Sequence, residues 1–137
     1  MEYKLHKNDL AYPDLSYKII GCAFEVFNQL GNGHKEIVFH RALAVEFANK
    51  KLSFSEEVYF PVDFKGTNVG RNYVDFLVDD KVIVEIKSLS RFSKGHFDQT
   101  RNYLTVAGLK LALLINFGSE GVQCKRVVNF KIIDTNS

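Results

Sequence analysis

Cysteine is nearly absent from this chain of 137 residues: Cys22 and Cys124 are the only two, far apart and without the spacing of a metal-binding pair. That argues against a disulfide scaffold or a thiolate zinc centre and leaves two thiols in apolar stretches, expected to be buried and free in a reducing compartment. Proline is as scarce, with Pro13 and Pro61 alone, and no Pro/Gly/Ser linker, low-complexity tract or internal repeat divides the chain. A single domain is expected. No apolar run is long enough to cross a bilayer and the N-terminus lacks the apolar core of a secretion signal, so the expectation is a soluble, cytoplasmic protein without a membrane partner. An excess of one charge is missing too. Basic residues number 18 and acidic residues 16, a formal net charge of +2, which does not imply nucleic-acid binding but is compatible with a local basic groove. What is present is core material: 46% of residues are hydrophobic and 13% aromatic, enough for one genuine core.

Met1 to Asp14 reads as a loosely attached lead-in whose Asp14 caps a helix with inward positions Ile20, Ala23, Phe24, Phe27 and Leu30, ended by Gly31. A second helix is expected from Lys35 to Lys50, with Val38, Ala42, Val45 and Ala48 on one side and Glu36 and His40 sharing a face. Val58, Phe60, Val62 and Phe64 alternate in a strand from Phe54 to Lys65. A turn over Gly66 to Gly70 then leads into a strand from Asn72 to Val78, and a further strand carries Glu85. Ser93 is placed to cap a helix from Lys94 to Ala107, closed by Gly108, with Phe97, Leu104 and Ala107 inward. Leu111 to Asn116 reads as a buried strand and Lys125 to Ile133 as the last one. The order helix, helix, three strands, helix, two strands is that of an α/β sheet domain.

The chemistry concentrates in Lys81-Val82-Ile83-Val84-Glu85-Ile86-Lys87. Residues two apart on a strand point to the same face, so Glu85 and Lys87 interrupt a Val/Ile run from one side. Burying either charge alone costs several kcal/mol, so both need a partner, water or an ion. The register of the hairpin decides whether Asp75 joins them. A two-residue turn over Asp79-Asp80 would set Asp75 opposite Val84, with its carboxylate turned away from that of Glu85. A three-residue turn, Asp79 to Lys81, pairs Val78 with Val82 and brings Asp75 across from Glu85. The apolar pattern fits this second register, because Val74, Phe76 and Val78 then share a face with Val82, Val84 and Ile86. Opposed carboxylates repel, and a hard divalent cation, Mg²⁺ or Mn²⁺, would make the arrangement favourable. With Lys87 beside it, such an ion suits phosphodiester hydrolysis. An exposed ion-pair ladder is the plainer alternative, and it is the usual one for charged strand residues.

Asp75 followed by Glu85-Ile86-Lys87 resembles the D…(D/E)-x-K signature of the PD-(D/E)XK nuclease superfamily. Joined to Gly33-His34-Lys35-Glu36, Ala42-Leu43-Ala44-Val45-Glu46, Val78 to Glu85, and Leu113-Leu114-Ile115-Asn116-Phe117-Gly118, it resembles the GxxExxY protein family over about Leu15 to Asn129. The closing Tyr of that motif is Phe39 here, which removes a hydroxyl while leaving the ring. The resemblance implies a restriction-endonuclease-like mixed central sheet flanked by helices. It also implies metal binding by Asp75, Glu85 and Glu36, a catalytic Lys87, and a nucleic-acid substrate, DNA before RNA. Gln99-Thr100-Arg101-Asn102-Tyr103 resembles the Q-x-x-x-Y motif of RecB-like exonucleases, which implies substrate contacts by Gln99 and Tyr103. Arg101 and Lys94, with Arg91 and Lys110, would add a basic rim for phosphates. In the absence of that resemblance, Glu36 reads as a helix-dipole residue, Glu25 as a solvated one, and His40 and His96 as surface or packing residues.

Two other classes compete with a nuclease. One is a catalytically silent module that binds nucleic acid or protein, disfavoured because a pure binder gains by discarding carboxylates that repel phosphate. The other is an oligomeric scaffold, which would need Tyr59, Phe60 and Phe92 to form one exposed patch. A homodimer is compatible with an enzyme cutting both strands, although the sequence carries no interface signature.

Overall fold

The computed structural model describes residues 11–131, so most of the N-terminal lead-in and the final residues lie outside the described part. Within it the elements run α1 (Pro13–Leu30), α2 (Glu36–Asn49), β1 (Phe54–Phe64), β2 (Thr67–Val78), β3 (Val82–Lys87), α3 (Lys94–Ala107), β4 (Leu111–Gly118) and β5 (Gly121–Val128). The five strands form one sheet in the order β1-β2-β3-β4-β5, antiparallel except for the parallel pair β3 and β4. α1 and α2 cover one face, burying Ile19, Ile20, Phe39, Leu43 and Phe47 against Phe76, Val84 and Leu113. α3 covers the other, where Tyr103 and Leu104 meet Val74, Ile83, Ala112 and Val127. β3 and β4 are therefore sealed on both sides, which explains their nearly continuous apolar composition.

Several boundaries move for identifiable reasons. Asp14 does not cap α1. Pro13, whose ring presets a helical φ, occupies the first turn after Tyr12, and Asp14 lies inside that turn, where its charge suits the helix dipole. Ala11 and Tyr12 pack against the core, and Arg126 Nη2 donates to the Ala11 carbonyl at 2.7 Å. In α2 the inward stripe is Phe39, Leu43 and Phe47, not Val38, Ala42, Val45 and Ala48; Val45 is 61% exposed. That helix is apolar nearly all round, so spacing could not choose a face, and the bulky rings took the core because they bury the most surface. In α1, Ile20 and Ala23 are buried as expected, but Leu30 lies outside.

The β1–β2 hairpin is longer than its pattern suggested. Its turn is Lys65-Gly66, with φ of 50° and 81°, and β2 starts at Thr67 rather than Asn72. The added residues are mostly exposed, so no alternation marks them. β5 begins at Gly121, directly after the Ser119-Glu120 turn, because Gly118 pairs with Gly121. Ser93 does cap α3, and His96 Nδ1 accepts the Ser93 amide at 2.9 Å, so His96 serves as the reciprocal half of a capping box. Cys22 is buried and Cys124 half-buried, neither in a disulfide, and burial pushes their thiols up to about 11 and about 12. Tyr59, Phe60 and Phe92 do not form a patch: Tyr59 packs on Tyr73 at 5.4 Å, Phe60 faces the α3 core, and Phe92 meets Phe97 at 5.8 Å.

One buried polar side chain governs the far end of the parallel pair. Asn116, fully enclosed, is the parallel partner of Lys87 and holds the loop that follows it: its Oδ1 accepts the Leu89 amide and its Nδ2 donates to the Leu89 carbonyl, both at 2.8 Å. Asn116→Ala strands both main-chain groups, and in urea titrations it is expected to cost about 2–4 kcal/mol of unfolding free energy.

Candidate active site

The β2–β3 hairpin has the three-residue turn: Asp79 and Asp80 take left-handed φ of 54° and 55°, and Val78 pairs with Val82, Leu77 with Ile83 and Phe76 with Val84. The next position is Asp75 and Glu85, and there the main-chain ladder gives way. The Asp75 amide donates to Glu85 Oε1 at 2.7 Å, and the Ile86 amide donates to Asp75 Oδ2 at 2.8 Å. Each strand thus satisfies an amide with the other strand's carboxylate. This reciprocal exchange locks the acids side by side in the gap where the strands part.

The same position is where the sheet kinks. Pairing of β1 with β2 passes from Glu56–Phe76 to Val58–Val74 without a Glu57–Asp75 step, and Glu57 has a left-handed φ of 49°. Residues two apart ordinarily share a face. Here Phe76 packs under α1 and α2 while Val74 packs under α3, and Val58 follows Val74. The expectation that Val74 shares a face with Phe76 therefore fails, because the local backbone twist at Glu57 and Asp75 exchanges the faces.

Burial drives the electrostatics of the pair. Glu85 is only 5% exposed, and burial, followed by the Asp75 charge, pushes its carboxyl up to about 8. Asp75 is also raised, chiefly by burial, against the lowering effects of the Ile86 amide, His40 and Lys87. Lys87, on the same strand face as Glu85, lies within electrostatic reach of both acids. Tyr103 of α3 faces them from the other side: burial and then the charges of Glu85 and Asp75 raise its phenol, while its hydrogen bond to Gln99 opposes the shift. Gln99 and Tyr103, one helical turn apart, are thus joined by a hydrogen bond, and Tyr103 lies within electrostatic reach of the acids.

Other expected residues sit differently. Glu36 is exposed in the first turn of α2, and its charge reaches Glu85 only as the weakest contribution. Among the described residues, no three His, Cys, Asp or Glu side chains gather closely enough to make a ready ion site, so Glu36 does not join Asp75 and Glu85 as a third ligand in this geometry. Lys94 and Arg101 are exposed, and each lies 3.6 Å from an Asp98 oxygen. Glu25 lies on the outer side of α1, accepting from Gln29 at 3.1 Å. Phe39 is fully buried and stacked on Phe117 at 4.4 Å, a contact made by the ring alone.

His40 is the residue undervalued by spacing. It is buried, stacks on Phe76 at 4.3 Å, and its Nε2 lies 3.0 Å from Glu56 Oε1, so Nε2 carries the proton, because a carboxylate only accepts. Its Nδ1 is then 3.8 Å from Asp75 Oδ1. The signal was its position one helical turn after Glu36, but only the pairing of β1 with β2 brings Glu56 to it.

This arrangement, paired strand acids followed by a lysine between helices of opposite layers, coincides with a family. The sequence profile of the PD-(D/E)XK nuclease superfamily matches residues 13–127, and the chain belongs to that superfamily. Solved structures agree on the fold. The crystal structure of SSO0001 superposes with a TM-score of 0.55 at 15% identity, covering 91% of this chain, which spans 65% of that one. An alkaline exonuclease from Laribacter hongkongensis gives 0.51 at 13% identity, over 85% of this chain and 73% of that one. A phage-related exonuclease from Haemophilus somnus 129PT gives 0.50 at 11%, over 98% and 82%. The architecture is thus the restriction-endonuclease-like α/β fold, a mixed five-stranded sheet flanked by three helices among the described residues. No curated protein matches the sequence.

The raised carboxyls make a pH prediction. Glu85 titrates near 8 when folded against an ordinary value of 4.5, so the folded state holds that proton more tightly than the unfolded. Its contribution is fully present below 4.5 and is lost as pH rises through about 8. In EDTA, the thermal midpoint is expected to fall between about pH 5 and pH 9, and Glu85→Gln to flatten that fall. A midpoint that climbs with pH in EDTA would contradict a buried Glu85 repelled by Asp75.

Proposed function

We propose that this chain is a metal-dependent nuclease that hydrolyses phosphodiester bonds of nucleic acid, DNA before RNA. The observation that carries this reading is the carboxylate exchange at Asp75 and Glu85, which holds two acids side by side, Glu85 buried and Asp75 half-buried, with Lys87 on the same strand face as Glu85. PD-(D/E)XK nucleases generally use divalent ions, and this donor set fits one: two hard oxygen donors whose mutual repulsion a cation relieves. Asp75 and Glu85 would hold Mg²⁺ or Mn²⁺, with Glu36 contributing from α2 through water. Bound there, the ion would supply Lewis acidity to the phosphate and lower the pKa of a water.

The chain's own residues account for the remainder. Each carboxylate has one oxygen tied to a main-chain amide, so the acids are oriented before any substrate arrives. Lys87 would hydrogen-bond the attacking water or a non-bridging phosphate oxygen, neutralising charge as the new P–O bond forms and the bond to the leaving sugar oxygen breaks. Gln99, hydrogen-bonded to Tyr103, would hold that hydroxyl in place to steady Lys87 or a phosphate. Lys94, Arg101 and Lys110 are assigned to phosphate contacts farther along the strand, with Asp98 releasing the first two as substrate binds. The Laribacter exonuclease has been solved in complex with dAMP, which supports a nucleotide substrate here.

We further infer membership of the GxxExxY group. Gly33 at a φ of 88°, Glu36 in the first turn of α2, and Phe39, which stacks on Phe117 in place of the closing Tyr, stand at the positions of its motif. Two free thiols, Cys22 buried and Cys124 half-buried, suit a cytoplasmic setting.

Purified protein with Mg²⁺ or Mn²⁺ is expected to cleave at least one of single-stranded DNA, duplex DNA, branched DNA or RNA, followed on denaturing gels. Asp75→Ala should abolish cleavage, and Lys87→Ala should lower the rate constant by about 10²-fold or more while the protein still binds substrate. If none of the four substrates is cut under conditions where all are bound, the chain is a binding module instead.

A further inference from the structure

A crevice opens beyond the carboxyl ends of the parallel strands β3 and β4, the position where α/β sheets usually take ligands. Its volume is about 660 Å³, within the range of small-molecule sites. Three half-buried rings line it, Phe24 from α1, Phe92 from the β3–α3 loop and Phe97 from α3, together with Arg91, Gln123 and Lys125. Glu120 at the β4–β5 turn is the acid in the lining, so the cations outnumber it two to one. A second hollow of about 390 Å³ adjoins it over that turn, reaching Ser90 and sharing Gln123.

Strand register ties this crevice to the acids. Glu85 pairs with Leu114 and Leu114 with Lys125; Lys87 pairs with Asn116 and Asn116 with Gln123. Paired residues share a sheet face, so Gln123 and Lys125 continue the rows of Lys87 and Glu85 across two strand spacings, about 10 Å. The loop bearing Arg91 and Phe92 leaves the sheet directly after Lys87, and Asn116, which pins Leu89, also donates to Gln123 Oε1 at 3.4 Å. One buried amide therefore sets the distance between the hydrolytic acids and the aromatic crevice.

We infer that this crevice is a subsite for single-stranded nucleic acid, stacking an unpaired base on Phe92 and Phe97 while Arg91 and Lys125 take the flanking phosphates. This rests on the nuclease reading and narrows its substrate to a strand with unpaired bases next to the cut. The chemistry favours it: aromatic faces accept any base, and cations spaced along a groove follow the backbone. The faces of a paired duplex are closed to the rings. Phe92 and Phe97 meet edge to face, 5.8 Å apart with planes at 65°, which leaves part of a ring open to a base.

The test is fluorescence anisotropy with a labelled short oligothymidylate in EDTA, where no cleavage occurs. The parent is expected to bind it more tightly than a blunt duplex of equal length. Phe92→Leu keeps an apolar side chain but removes the ring, and should weaken binding about tenfold, whereas Phe92→Tyr should bind as the parent does. Lys125→Gln should reduce the salt slope by about 1. Circular dichroism melts establish that each variant is folded. Unchanged affinity in folded Phe92→Leu and Lys125→Gln, equal binding of the blunt duplex, or no binding of the oligonucleotide by the parent would each overturn the inference. If the first of these occurs while the parent cleaves nucleic acid, the subsite falls and the nuclease stands. If the variants weaken binding but the parent cleaves no substrate, the subsite stands and the nuclease reading falls.

Discussion

Where β2 and β3 part, two carboxylates take over from the backbone, each accepting an amide from the opposite strand at 2.7 and 2.8 Å. That exchange is local, yet much of the sheet is arranged around it. Regular pairing on one side stops at Phe76 and Val84. On the other side the outer hairpin of β1 and β2 twists so that its inward side chains change layers at Glu57 and Asp75. The acids therefore sit at a seam between the core under α1 and α2 and the core under α3. A helix from each layer can reach them, α2 with His40 and α3 with Tyr103.

Such a site works against stability. A buried and a half-buried acid repel each other and resist ionisation, and the fold accommodates them by hydrogen-bonding one oxygen of each to a main-chain amide. The sealed strands β3 and β4 supply rigidity, and Asn116 extends it to the loop after Lys87. A cation would remove the repulsion, so binding and folding favour the same geometry. The chain belongs to the PD-(D/E)XK nuclease superfamily, and its likeness to solved exonucleases at 11–13% identity concerns the fold.

The local signals in the chain were reliable wherever the residue itself carries the reason. Gly31 and Gly108 end their helices, Ser93 starts one, and the Val/Ile runs are central strands. They were weaker where two faces offered similar gains. α2 carries apolar residues on every side, so the choice of Phe39, Leu43 and Phe47 awaited the sheet they pack on. The tip of the outer hairpin is exposed on both faces, so its extent is set by pairing and not by hydrophobicity.

For the site itself, the sequence favoured Asp75 across from Glu85 with Lys87 on the same strand face, because only a three-residue turn sets Phe76 and Val78 on the face of Val82 and Val84, and the pairing in the fold has that register. Gln99 and Tyr103 were singled out by the resemblance to the Q-x-x-x-Y motif, and a separation of four residues, about one helical turn, sets them on one face. Only the tertiary structure decided that Val74 changes layers, that Glu56 reaches His40 beside Asp75, that Lys94 and Arg101 are engaged by Asp98, and that Lys125 shares a sheet row with Glu85. The physical reason is separation along the chain. Periodicity reports neighbours within a turn or a hairpin, whereas contacts across strands and layers depend on twist and register summed over the whole sheet.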